Sequence, residues 1–132
     1  MWIDNYFTIN RKSRIENADI YDVELNPDSE IYKGHFPGEP VSPGVCSIGM
    51  IVACASRSIG SPLEIHKISR CRFLSAISPQ NKPDLQIRIE LTDAVLADKK
   101  PGKVYQIEAS IKHKELVCLS LKGELAERPG EV

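Results

Sequence analysis

From Val45 to Ala55 the chain reads Val-Cys-Ser-Ile-Gly-Met-Ile-Val-Ala-Cys-Ala, apolar or small at every position. A helix that is hydrophobic nearly all round has to be enclosed by protein on most of its sides. The rest of the chain must therefore wrap it. The run follows Lys33-Gly-His-Phe-Pro-Gly-Glu-Pro-Val-Ser-Pro-Gly44, whose three prolines and three glycines can neither continue a helix nor occupy a central strand. That segment is expected to be a shaped loop. Ser42 is expected to cap the helix and Pro43 to take its first position, where a missing N–H costs nothing. The helix should run to about Ile59, with Gly60 as its left-handed stop. Its only charge is Arg57, near the C-terminal end where a cation complements the dipole, so no carboxylate lies along it.

The flanking sequence reads as strands. Tyr6 to Ile15 and Ala18 to Leu25 carry Ile, Phe, Val and Tyr in partial alternation, and Asn26-Pro-Asp-Ser29 is a turn. After the helix come Leu63 to Ile77, Leu85 to Leu96, Val104 to His113 and Leu116 to Glu124. Turns are expected at Pro79 to Pro83 and Asp98 to Gly102, and a tight hairpin at Lys112 to Glu115. Leu85-Gln-Ile-Arg-Ile-Glu-Leu and Tyr105-Gln-Ile-Glu-Ala-Ser-Ile alternate apolar and polar, as an antiparallel sheet with one covered face requires. Two strands, one buried helix and four further strands make an α+β order. The expected architecture is a single domain, 1–132, in which one curved antiparallel sheet wraps a long central helix.

At 132 residues the chain suits one domain with a real core. Its 17 Lys and Arg nearly balance its 18 Asp and Glu, which leaves no bulk electrostatic drive toward nucleic acid or an anionic membrane. Met1 to Asn10 lacks the pattern of a secretory leader, and Ile48 to Ala55 is too short to span a bilayer, so a cytoplasmic location is expected. Cys46, Cys54, Cys71 and Cys118 are widely spaced without a CxxC pair and are read as free thiols, mostly buried.

The stretch from His35 to Gly44 resembles the HFPGxPxxPG signature of the hot-dog-fold (3R)-3-hydroxyacyl-[acyl carrier protein] dehydratases. It matches at His35, Phe36, Pro37, Gly38, Pro40, Pro43 and Gly44 and is followed, as in that family, by an apolar helix. The signature spans about ten residues, while the order of strands and the overall length agree from end to end. The resemblance implies that His35 removes the α-proton of a 3-hydroxyacyl thioester and that the Gly44 N–H polarises the thioester carbonyl. It also implies that the Val41 carbonyl orients the His35 ring. Elementary chemistry agrees: imidazole titrates near neutrality, and a helix start offers unpaired N–H groups where enolate charge develops. Phe36, Pro37, Gly38, Val41, Val45, Ile48 and Gly49 would line the substrate. The resemblance further implies a homodimer, an acyl carrier protein with a phosphopantetheine thioester as partner, and chemistry needing no metal or redox cofactor.

The chain departs from the family at one position. Its members carry Glu or Asp five residues after the glycine of the Pro-Gly pair, to protonate the leaving hydroxyl, and here that residue is Gly49. General acid catalysis is worth about 10²- to 10⁴-fold. Three readings stay open: another group or a water replaces the acid, His35 performs both proton transfers, or the domain binds acyl thioesters without dehydrating them. Glu39 is the nearest carboxylate in sequence and the third candidate catalytic residue; Cys46 and Ser47 are weaker substitutes. A hot-dog acyl thioesterase is a further alternative. His66 and His113 read as ordinary strand and hairpin histidines, and Lys99, Lys100 and Lys103 as a solvated basic turn.

Overall fold

The computed structural model describes residues 5–29, 42–80, 83–93 and 103–128. Among them are six strands and one helix: β1 (Phe7–Ile15), β2 (Ala18–Leu25), α1 (Gly44–Ile59), β3 (Leu63–Phe73), β4 (Asp84–Asp93), β5 (Val104–His113) and β6 (Leu116–Glu127). The strands form one sheet in the order β1-β2-β4-β5-β6-β3, antiparallel at every pairing. This is the hot-dog arrangement expected from the sequence.

The alternating strands decide which face meets the helix. Leu85, Ile87 and Ile89 of β4 are buried while their neighbours Gln86 and Arg88 are exposed, and β5 repeats the pattern with Tyr105, Ile107, Ala109 and Ile111. Those side chains close over Cys46, Met50, Ile51, Cys54 and Ala55 of α1 in one core. Apolar area removed from water contributes about 25 cal/mol per Å², so this sheet-on-helix contact dominates the stability of the chain. Tyr21 reaches across it to place its hydroxyl 2.6 Å from Ser58 Oγ. At the helix end Gly60 has φ +82 and its N–H bonds to the Ser56 carbonyl, as its position in the sequence suggests.

Several boundaries differ from expectation. β3 ends at Phe73 instead of Ile77 because the Leu74 and Ser75 N–H groups both turn onto the Cys118 carbonyl, at 2.8 and 3.2 Å. The freed Ile77 carbonyl accepts the Ser42 N–H at 2.6 Å, so residues just past the strand hold the chain entering α1. β6 runs on to Glu127, paired with Leu63. Pro43, not Ser42, is the N-cap, and no side chain caps the helix, because the Ser42 hydroxyl is engaged elsewhere. Nor is α1 enclosed all round: Val45 is 64% exposed. No helix among the described residues is long and apolar enough to cross a membrane.

Candidate active site at the helix N-terminus

α1 begins at Gly44, and the N–H groups of Cys46 and Ser47 already turn back to the Pro43 carbonyl at 3.0 and 3.1 Å. The N–H groups of Gly44 and Val45 have no intrahelical acceptor, as at every helix start. They mark the positive end of the dipole. The Phe73 ring covers this point so closely that a Cβ on residue 44 would lie 2.9 Å from two of its carbons. Glycine here lets an aromatic ring and the helix backbone meet; a side chain would push the ring away.

Beside the helix start lies a cleft of about 330 Å³, lined among others by Ser42, Ser47, Phe73, Leu74, Ile77 and Cys118. Its wall on the helix side carries hydroxyls, and its rim is apolar. Tyr6, buried just before β1, donates its phenol hydrogen to Ser42 Oγ, which lies 2.9 Å from Ser47 Oγ. Three buried hydroxyls thus run in line to the first turn of α1. Two further clefts, of about 480 and 490 Å³, lie among polar strand residues, with Glu90, Glu108 and Lys122 lining the first and Asp22, Gln86 and Lys112 the second.

Of the residues singled out by the sequence, Gly44 opens the helix and Val45 stands exposed beside it. Ile48 and Gly49 are partly buried. Four residues apart, Val45 and Gly49 share one side of the helix, the side that this chain's own sheet covers least. Ser47 lies roughly 200° from Gly49 around the helix axis, and so faces its own sheet and the cleft. Cys46 is 2% exposed, and burial pushes its thiol up, which makes it a poorer proton donor. His35, Phe36, Pro37, Gly38, Glu39 and Val41 lie outside the described residues, as do Lys99 and Lys100.

His66 sits in β3, and His113 places Nδ1 2.9 Å from the Asp84 carbonyl at the hairpin, so neither is near the helix start. Among the described residues no group of His, Cys, Asp or Glu is arranged to hold a metal ion. The roles of Tyr6 and Phe73 were not legible in the sequence. Tyr6 lies 36 residues from its partner Ser42, and Phe73 reads as an ordinary strand residue. Only the sheet brings either to the helix start.

The same fold recurs in solved structures. The dehydratase heterocomplex ApeI:P from Xenorhabdus doucetiae superposes with a TM-score of 0.64 at 17% identity, over 91% of this chain and 97% of that one. An uncharacterised protein from Pyrococcus horikoshii gives 0.60 at 14% identity, over 93% and 85%. The dehydratase domain from the CurJ module of curacin polyketide synthase gives 0.54 at 15% identity, over 94% of this chain and 43% of that one. At these identities the likeness establishes the hot-dog fold. No curated protein sequence matches the chain. The ApeI dehydratase family model matches residues 11–103, a span that includes the His35 to Gly44 signature, the helix and β3. The chain belongs to the ApeI-like dehydratase family.

Proposed function

We propose that the chain eliminates water from a 3-hydroxyacyl thioester, carried on the phosphopantetheine arm of an acyl carrier protein, to give a trans-2-enoyl thioester. His35 takes the α-proton, the Gly44 N–H receives the thioester carbonyl as enolate charge builds on it, and the Val41 carbonyl holds the imidazole. Phe36, Pro37, Gly38 and Ile48 line the substrate, while Val45 and Gly49, turned away from the cleft, face a second chain. The observation that carries this reading is the opening of α1 at Gly44 beside a cleft, immediately after the signature within the family match. A preorganised N–H at such a position is worth about 10²- to 10³-fold in rate.

The site is completed by a second hot-dog chain, with the homodimer as the simplest form. Among the described strands β3 is at the sheet edge with Ile65 and Ile68 each 43% exposed, and the half-covered side of α1 at Val45 and Gly49 also wants a neighbour. The curacin domain, of which this chain covers 43%, has room for two such units, and ApeI:P is itself a heterocomplex. Both support pairing.

Incubation with a 3-hydroxyacyl carrier-protein thioester is expected to yield a product lighter by one water, and His35→Ala to slow that step by about 10³-fold without unfolding the chain. An undiminished rate in His35→Ala would overturn the assignment. Gly49 favours one competing reading, a non-catalytic acyl-thioester binding protein, which would leave the substrate unchanged. Release of free thiol would instead make the chain a thioesterase.

A further inference from the structure

The dehydratase reading leaves the leaving hydroxyl without the helix carboxylate that would protonate it. Building on that reading, we propose that Ser47 supplies this proton, with Ser42 and Tyr6 behind it as a relay. A serine inside a helix usually sends its hydroxyl hydrogen to the carbonyl one turn back, and Ser56 does so in this same helix, 2.8 Å from the Val52 carbonyl. Ser47 does not. The carbonyl one turn back from it, Pro43, already accepts two backbone N–H groups. Its one side-chain partner among the described residues is the Ser42 hydroxyl.

The relay needs each hydroxyl to pass its hydrogen toward α1. A hydroxyl has one to give. Tyr6 gives its own to Ser42, and in the orientation proposed Ser42 gives its own to Ser47, 2.9 Å away, a contact in which either oxygen can donate. The hydrogen of Ser47 then has no acceptor among the described residues, although the residue is 2% exposed and lines the cleft. A buried donor left over in this way is an expensive arrangement unless a ligand uses it.

Its placement suits one substrate oxygen. Gly44 and Ser47 are three residues apart, about 4.5 Å along the helix axis. A thioester carbonyl on the Gly44 N–H therefore brings the C3 oxygen of the same chain into reach of Ser47. In the step proposed, the base takes the C2 proton, the C2–C3 double bond forms, and the C3–O bond breaks with both electrons going to oxygen. That oxygen takes the Ser47 proton and departs as water. Ser47 is reprotonated by Ser42 and Ser42 by Tyr6, and after the product leaves, the proton held by the base returns to the buried phenolate through water in the cleft and back along Ser47 and Ser42. A phenol is a far stronger acid than water, so the transfer runs toward the departing oxygen.

The test compares 3-hydroxybutyryl and 3-fluorobutyryl thioesters of N-acetylcysteamine, because fluoride leaves without a proton donor. The native chain is expected to eliminate from both. Ser47→Ala should lose about 100-fold in kcat on the hydroxy substrate, with KM little changed, and keep its rate on the fluoro substrate. Tyr6→Phe and Ser42→Ala should each lose about tenfold on the hydroxy substrate, less than the roughly 10²- to 10⁴-fold a direct proton donor is worth, and add nothing to Ser47→Ala. Equal losses on both substrates would make Ser47 merely structural, and no loss would remove it from the reaction; either overturns the relay while the dehydratase reading stands. A native chain that eliminates fluoride but not water has its base and lacks the donor, which also overturns it. One that eliminates neither overturns both.

Discussion

Asp19, the second residue of β2, is 7% exposed, with Arg14 Nη1 2.9 Å and Lys12 Nζ 3.8 Å from its carboxylate. Burial alone would raise its pKa, but the hydrogen bond from Ser58 and the charges of Lys12 and Arg14 outweigh it and hold the carboxyl below its usual 3.8. A group with a depressed folded pKa stabilises the fold above its unfolded value and loses that contribution as pH falls through the folded one. The native chain should therefore lose Asp19's contribution to its urea stability as pH falls below about 4. Asp19→Asn should be weaker by about 1 kcal/mol at pH 7 and flatter across the acid limb; parallel curves would refute the account. Burial likewise pushes the Cys54 thiol up to about 12. Peptide mapping after alkylation at about pH 8 should find Cys54 unmodified until denaturant is added, since the thiolate is the reactive form.

At the scale of elements, β3 and β6 show how a close approach fixes a residue. β3 slips register between Ile65 and Lys67 and again between Ile68 and Arg70, which pushes the Lys67 carbonyl over Gly123 of β6. A Cβ there would lie 2.2 Å from that oxygen. Backbone cannot swing aside as a side chain can, so Gly123→Ala is expected to cost about 2–3 kcal/mol, read as a lower urea midpoint; a midpoint unchanged from native would show that the bulges relax. The alternation of β4 and β5 was plain in the sequence, and so were the α1 boundary at Ile59 and the Gly60 stop. The bulges of β3 were not. They answer to the partner strand, and Leu63 to Phe73 carries no local signal of a slip.

Among the described strands β3 forms an outer edge of the sheet, with Ile65, Ile68 and Phe73 exposed on it and Leu74 exposed just past its end. Unpaired edges invite further strands, and the proposed pairing would cover this one. Sedimentation at micromolar concentration is expected to give twice the 14.7 kDa chain mass, and Ile65→Lys with Ile68→Lys to return the monomer. A native monomer would leave the proposed site without its second chain.

The amino-acid sequence by itself determined the α+β order, the buried helix and the signature from His35 to Gly44. Each of these is written in neighbouring residues, as periodicity, as Pro and Gly punctuation, or as a motif. Only the tertiary structure decided that Tyr6, Ser42 and Ser47 form one line of hydroxyls, that Phe73 covers Gly44, and that Ser47 faces the cleft while Gly49 faces outward. Those relations join residues far apart in the chain or turn on which side of a helix meets a sheet. Hydrogen bonds and contacts of that kind exist only once the strands have closed around the helix.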